Sequence, residues 1–186
     1  RAVPGPVRLS ERGSGSSVKT QALIRALLRS QRKLEYLPID ISRTALEEAG
    51  GTLIDIFPGL TVTAVAAEYG SGLAWLKEQA PPAGASLVLF LGSTIGNLSP
   101  AQAQHLFRNV RRALKPGDGF LVGADQTKDP GVLIPAYDDA LGVTAAFNRN
   151  LLVRMNRELG GDFPVEAFHH WALYDPRAGR VEMRLV

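Results

Sequence analysis

The sequence contains no cysteine in 186 residues, which excludes disulfides, thiolate nucleophiles and cysteine-ligated metals. It has no apolar run long enough to cross a bilayer and no visible signal peptide. Neither sign of charge dominates, since 21 basic and 18 acidic residues give a net charge of +3, and the basic residues form no continuous stripe. The composition, with 45% hydrophobic and 21% charged residues, is typical of a soluble globular protein. We expect a cytoplasmic, monomeric enzyme with a small-molecule partner and no nucleic-acid or membrane partner.

Strands and helices alternate along the chain. The segments "LEYLPIDIS", "LTVTAVAAEY", "SLVLFLG" and "FLVGADQ" read as strands, and each lies next to a helical segment. This alternation predicts an α/β fold, a doubly wound and mostly parallel sheet. We expect "RLSER" to make a poor first strand, a helix break near Gly142, and a hairpin turning around Asp175 to Gly179.

The stretch "ERGSGSSVKT" is a glycine-rich turn that precedes a helix. It does not match a P-loop, because Val18 stands where glycine must precede Lys19. Gly13 and Gly15 fit the first two glycines of a dinucleotide fingerprint, but Val18 occupies the third position. An acidic residue that could read a ribose, Asp40, follows about 25 positions after Gly15. A nucleoside ligand without a pyrophosphate explains this pattern, and S-adenosylmethionine is such a ligand.

Acidic residues end two successive predicted strands. Asp40 follows the second strand, and Glu68 and Tyr69 follow the third. Because the carboxyl ends of parallel strands meet at one edge, we expect the ribose near Asp40 and the adenine near Glu68 and Tyr69. A strand-end acid can equally be a helix cap or a solvated turn residue.

The stretch "LFLGSTIGN" leads from a buried strand into a loop of small residues that ends at Asn97. Small residues let a backbone approach a ligand, and the Asn97 amide could grip an amine or carboxylate without adding charge. The alternative is a simple turn in which Asn97 caps the next helix.

These stretches, together with "DQTKDPGVLIPAYDDALGVTAAFNRNLL", resemble the histidine-specific methyltransferase family of ergothioneine biosynthesis. The resemblance implies a Rossmann-like, S-adenosylmethionine-dependent methyltransferase fold. It also implies trimethylation of the α-amino group of L-histidine to hercynine, by positioning alone and with no catalytic acid, base or metal. The cofactor-binding residues implied are Gly13, Ser14, Gly15, Lys19, Asp40, Glu68 and Tyr69. The substrate-binding residues implied are Asn97, Tyr137, Phe147 and Met183.

The resemblance further implies one domain over residues 1–186, truncated at both ends. Residues 165–186 would begin a hairpin that leads to a substrate-recognition part outside this sequence. Three alternatives stay open: an N-methyltransferase for another amino acid such as a tryptophan derivative, a nicotinamide-dependent oxidoreductase, and a non-catalytic cofactor-binding fragment.

Two conspicuous pairs are not expected to be catalytic. His169 and His170 are neighbours in a predicted strand, so their side chains point to opposite faces and cannot easily share a metal. Asp138 and Asp139 are neighbours in a helical segment and do not share a face, so one of them is expected to be solvated or capping.

Overall fold

The computed structural model describes residues 6–67, 72, 75 and 84–186. Contacts between backbone positions divide the chain into two compact units, Arg1–Asp125 and Gln126–Val186.

The first unit is built from six strands and three α-helices in the described residues. Its strands are β1 (Val7–Arg12), β2 (Leu34–Asp40), β3 (Leu60–Val62), β4 (Val65–Ala66), β5 (Ala85–Phe90) and β6 (Gly119–Val122). Its helices are α1 (Gln21–Gln31), α2 (Arg43–Ile56) and α3 (Pro100–Ala113), with a 3-10 turn at Thr94–Asn97.

The strands form one parallel sheet in the order β3-β2-β1-β5-β6, with β4 also paired to β2. One buried cluster joins the sheet to α1 and α2 through residues such as Leu9, Ile24 and Leu53. A second cluster, which includes Val88 and Leu106, joins the sheet to α3. Helices therefore cover both faces, which confirms the predicted doubly wound α/β fold. The strand order reverses beside β1, so the carboxyl ends of β1 and β5 flank the crevice where such folds bind ligands.

The prediction of a poor first strand is wrong. Strand β1 is the central strand, all six of its residues are buried, and it pairs with β2 on one side and β5 on the other. Its polar side chains find partners inside the fold: the Arg8 guanidinium donates to the Ser86 hydroxyl at 3.3 Å, and Ser10 donates to the Leu37 carbonyl at 3.2 Å. These partners are distant in the sequence, so hydrophobic patterning does not reveal them.

Two serines cap helices of this unit, and one strand differs from its expected extent. Ser42 caps α2, since its hydroxyl accepts from Ala45 N at 3.2 Å. Ser99 caps α3 in a capping box with Gln102. The strand expected over residues 60–69 is instead two short pieces, β3 and β4, because the chain between them leaves the regular ladder.

The second unit contains two helices and a hairpin. Its elements are α4 (Pro130–Tyr137), α5 (Val143–Leu159), a 3-10 turn at Val165–Ala167, and the antiparallel strands β7 (His170–Asp175) and β8 (Arg180–Leu185). The helix break near Gly142 and the hairpin turn are confirmed. Both helices pack against the hairpin. Within the ranges described, no helix has the length and hydropathy of a membrane span.

Asp139 lies in the break and caps α5, as expected for one member of the Asp138 and Asp139 pair. Its carboxylate accepts from Thr144 N at 2.7 Å and from Val143 N at 3.0 Å. Hydrogen bonds from the Thr144 side chain and backbone, and from the Val143 backbone, lower the pKa of Asp139 to about 2. This carboxylate is therefore part of the helix terminus.

Candidate functional site

The carboxyl ends of β1 and β2 carry five of the predicted cofactor residues, and the loop after β5 carries Asn97. Gly13 N donates to the Ile39 carbonyl at 2.8 Å, and Gly15 N donates to Asp40 Oδ2 at 2.9 Å. The other carboxylate oxygen, Asp40 Oδ1, accepts from Ser42 N at 3.0 Å. Asp40 thus ties the glycine turn after β1 to the end of β2, and each oxygen retains a lone pair for a further donor.

Lys19 connects the glycine turn to the loop after β5. A Cβ placed on Gly92 would lie 3.2 Å from Lys19 Nζ, so the ammonium lies directly against this glycine. Gly92 also has a φ of +74°, which side chains other than glycine's rarely adopt. The glycine turn and the loop after β5 are therefore in contact, and the Lys19 ammonium lies at that contact.

The glycine turn has the features of a ligand cradle. The Ser14 hydroxyl is buried and has no hydrogen-bond partner in the part of the chain that the structure describes. Apart from Gly15 itself and its two chain neighbours, no described residue has an atom within 4 Å of the position that a Gly15 Cβ would occupy. A buried hydroxyl without a partner beside open space, with an ammonium and a carboxylate nearby, suits a ligand with a carboxylate and ribose hydroxyls. These residues therefore fit S-adenosylmethionine.

A buried polar cluster lies beneath the turn, and the sequence analysis did not identify it. Glu11 Oε2 accepts from the Thr20 hydroxyl at 2.6 Å and from the Tyr36 hydroxyl. The Tyr36 oxygen lies 2.9 Å from Ser17 Oγ. Because Tyr36 gives its single hydrogen to Glu11, Ser17 is the donor in that second bond. We call Glu11, Ser17, Thr20 and Tyr36 the Glu11 cluster.

Burial controls the electrostatics of the Glu11 cluster. It raises the pKa of Glu11, while hydrogen bonds from Thr20 and Tyr36 and the charge of Lys19 act in the opposite direction. Burial, followed by the nearby Glu11 carboxyl, raises the pKa of Tyr36. The tyrosine thus remains a neutral donor, which is the role that the geometry requires.

Two serines hold strained backbone conformations, one in each loop. Ser17 has a φ of +53° and Ser93 a φ of +57°, a region in which residues other than glycine are uncommon. Ser17 is buried and its hydroxyl is bonded to Tyr36. The Glu11 cluster therefore holds one strained residue of the cofactor turn in place, a pattern that is frequent at ligand sites.

Asn97 ends the 3-10 turn that follows β5, and the residue is exposed. The alternative interpretation, in which Asn97 caps the following helix, is not what the structure shows, because Ser99 supplies that cap. The Asn97 amide is therefore left available for a ligand.

The other predicted substrate residues belong to the second unit. Tyr137 is the last residue of α4, Phe147 lies on α5 and Met183 on β8. Their exposed fractions are 37%, 72% and 40%, which is high for such apolar side chains. Exposed apolar groups of this size are available to contact a ligand or another segment. Among the described residues, no three potential His, Asp or Glu metal ligands cluster.

The family described as "histidine-specific methyltransferase, SAM-dependent" matches residues 1–186, the whole chain. The chain belongs to this family. The expected family resemblance is thereby confirmed, as is the dependence of this family on S-adenosylmethionine.

Three relatives of this methyltransferase-family chain carry informative names. A histidine N-alpha-methyltransferase from Mycolicibacterium smegmatis is 42% identical over 99% of this chain and 56% of its own length. One from Mycobacterium tuberculosis is 38% identical over 95% of this chain and 54% of its own length. An "Ergothioneine biosynthesis protein 1" from Neurospora crassa is 30% identical over 96% of this chain and 20% of its own length. The chain thus spans about half the length of the first two relatives.

Within this methyltransferase family member, the structure brings five predicted cofactor residues and Asn97 to one edge of the first unit. The five are Gly13, Ser14, Gly15, Lys19 and Asp40. The predicted adenine residues, Glu68 and Tyr69, lie outside the described residues.

Proposed function

We propose that this chain carries the S-adenosylmethionine site and part of the amino-acid site of an L-histidine Nα-methyltransferase, which forms hercynine in ergothioneine biosynthesis. The observation that carries the proposal is the meeting of Lys19 with Gly92, which unites the cofactor turn and the Asn97 loop. Membership of the histidine-specific family and the names of the relatives support the choice of substrate. In keeping with the near balance of charges, we propose a cytoplasmic monomer whose partner is the free amino acid.

We propose that three side chains at the glycine turn bind the cofactor. Lys19 would pair with the methionine carboxylate, and the Ser14 hydroxyl would gain the hydrogen-bond partner that it lacks among the described residues. Asp40 would accept from the ribose hydroxyls with the lone pairs that Gly15 and Ser42 leave free. We also propose that Glu68 and Tyr69 flank the adenine.

When bound, S-adenosylmethionine supplies an electrophilic methyl group on a sulfonium whose departure leaves a neutral thioether. The protein's task is therefore positioning. The nitrogen releases one proton to solvent after each of the first two transfers, so no residue needs to act as an acid or base. The α-amino group of a peptide has a pKa of about 8, and the carboxylate of a free amino acid raises this value, so the reacting neutral amine is the minor form near neutral pH. Asn97 would accept an N–H of this amine through its amide oxygen, which directs the nitrogen lone pair without adding charge.

In the second unit, we propose substrate-binding roles for Tyr137, Phe147 and Met183. The Tyr137 hydroxyl would bind the amino or carboxylate group of the substrate. Phe147 and Met183 would supply apolar walls, and an aromatic wall also attracts the trimethylammonium that three transfers create.

Calorimetric titration with S-adenosylhomocysteine, followed by L-histidine, tests this proposal. We expect the first compound to bind alone and L-histidine to bind its complex. Lys19→Ala should weaken S-adenosylhomocysteine binding about tenfold, since it removes a charge-assisted contact. Lys33→Ala is the matched control, because Lys33 is exposed and precedes β2 at the opposite edge of the sheet.

The other outcomes separate the alternatives. Binding of L-tryptophan but not L-histidine to the complex would assign a different amino acid. Binding of both ligands without turnover would indicate a non-catalytic cofactor-binding fragment. Failure of S-adenosylhomocysteine to bind, in a chain with a cooperative unfolding transition, would refute the interpretation of the glycine turn.

A further inference from the structure

His170 is an enclosed titratable side chain that contacts the backbone of Tyr137. Only 2% of its side chain is exposed, although it is the first residue of β7. Its Nε2 lies 2.8 Å from the Tyr137 carbonyl oxygen, and its Nδ1 lies 3.0 Å from Asn148 Nδ2. His169 is exposed, in agreement with the expectation that the two rings point to opposite faces.

The partners of the His170 ring define one tautomer. Asn148 Nδ2 also lies 3.2 Å from the Arg184 carbonyl oxygen, which only accepts, so this amide atom is the nitrogen and only donates. His170 Nδ1 must therefore accept, and it carries no hydrogen. Nε2 then carries the hydrogen of the neutral ring and donates to the Tyr137 carbonyl. Asp138 Oδ1 is 3.9 Å from Nε2, too far for a hydrogen bond.

Helix α4 is short and irregular, so a hydrogen bond from outside the helix stabilises its end. It has only eight residues and contains Pro135, whose missing N–H removes the bond to the Gly131 carbonyl. The Tyr137 carbonyl is one of the last four in the helix, which have no partner within it. His170 provides that partner, and Asn148 extends the link to α5 and to the backbone of β8.

We propose that His170 is a positioning residue that fixes the end of α4 and thereby the location of the Tyr137 side chain. The inference rests on the proposed substrate role of Tyr137. The hydrogen bond from the ring to Tyr137 engages the backbone carbonyl and not the phenol, so it holds the backbone in place without using the hydroxyl.

The first test is the tautomer itself. The chain has only three histidines, His105, His169 and His170, so ¹⁵N-histidine labelling gives few signals, and single substitutions assign them. Long-range ¹H–¹⁵N spectra at neutral pH should show His170 as the Nε2–H tautomer. A mixture of the two tautomers would overturn the proposal, whatever the role of Tyr137.

The second test compares two variants that retain different halves of the ring's hydrogen bonding. His170→Gln places an amide N–H donor near the position of Nε2. His170→Asn has a shorter side chain, so its amide lies near the position of Nδ1 and no donor remains at Nε2. We expect His170→Asn to weaken L-histidine binding to the S-adenosylhomocysteine complex about fivefold, the effect of one lost hydrogen bond. His170→Gln should restore most of this loss, and S-adenosylhomocysteine affinity should stay within about twofold throughout.

His169→Asn is the matched control and should bind both ligands like the unsubstituted chain. Equal losses in His170→Gln and His170→Asn, or equal effects on both ligands, would show a structural role only and overturn the proposal. A fixed tautomer combined with L-histidine affinity that Tyr137→Phe leaves unchanged would instead overturn the substrate role of Tyr137, and this inference with it.

Discussion

Replacing Tyr36 by phenylalanine removes one hydroxyl from the floor of the cofactor turn. Tyr36 is fully buried, and its ring can stay in place, so the change is confined to hydrogen bonding. Glu11 loses one of its two donors, and Ser17 loses the acceptor of its hydroxyl. Because Ser17 has a positive φ, the lost bond also frees a strained residue to relax.

The expected cost follows from these two bonds. An ordinary buried hydrogen bond contributes about 1 kcal/mol, and one to a charged group about 1.5–3 kcal/mol. We therefore expect Tyr36→Phe to lower the free energy of unfolding by about 2–4 kcal/mol. Urea unfolding followed by circular dichroism measures this change as a lower midpoint at constant slope.

The loss of stability in Tyr36→Phe should depend on pH, and the pKa of Glu11 determines the direction. Burial raises the pKa of Glu11 above its ordinary value of 4.5, and the Tyr36 hydrogen bond lowers it because that bond favours the ionised carboxylate. A raised folded-state pKa means that the contribution of Glu11 to stability is greatest below 4.5 and declines as the pH rises through the folded-state pKa. Without the Tyr36 hydroxyl the folded-state pKa of Glu11 is higher still, so stability declines more as the pH rises. The loss of unfolding free energy in Tyr36→Phe should therefore be greater at pH 7 than at pH 5.

Cofactor affinity gives the second readout. S-adenosylhomocysteine should bind Tyr36→Phe more weakly, since part of the binding energy must restore the turn. Tyr174→Phe, on β7 in the second unit, is the matched control and should leave the affinity unchanged. A stability loss under about 0.5 kcal/mol, within the range of ordinary surface substitutions, would refute the hydrogen-bond assignment within the Glu11 cluster.

Three further predictions concern the turns and caps. Gly92→Ala should weaken S-adenosylhomocysteine binding by forcing the Lys19 ammonium aside, whereas Gly96→Ala, with open space and no positive φ, should not; calorimetry measures both. Ser99→Ala should lower the free energy of unfolding by about 1 kcal/mol through loss of the capping box, as checked by urea unfolding. The pKa of Asp139 is lowered from 3.8 to about 2, so its stabilising effect is present above 3.8 and is lost as the pH falls towards 2; thermal melts should show a smaller acid-induced loss in Asp139→Ala.

Local signals in the sequence were sufficient for much of the fold. The caps at Ser42 and Ser99, the break at Gly142 and the hairpin turn each depend on residues within a few positions of one another. The parallel sheet followed from the alternation of apolar strands with helices. Features of this kind are encoded locally, so one sequence suffices to predict them.

The features that were missed all depend on contacts between distant residues. Tyr36 reaches Glu11 across 25 positions, and Arg8 reaches Ser86 across 78. Asp40 was predicted as a ribose ligand, but its bond to Gly15 N, which shapes the turn, could not be inferred from spacing alone. In each case a polar group is stable in the interior only because of a partner that the fold supplies.

The polar residues of β1 explain why its strand pattern failed. Leu9 lies in the core on the face shared with α1, and Glu11, two positions later, lies on the same face beneath the cofactor turn. Glu11, which interrupts the apolar pattern, therefore lies at the carboxyl end of the central strand, beside the ligand crevice. An apolar residue there would complete the strand pattern but would leave the Tyr36 and Thr20 hydroxyls without the acceptor that they share. Glu11 thus disturbs the local pattern because the turn above it must be held in a strained shape, as expected where ligand binding and regular structure make competing demands.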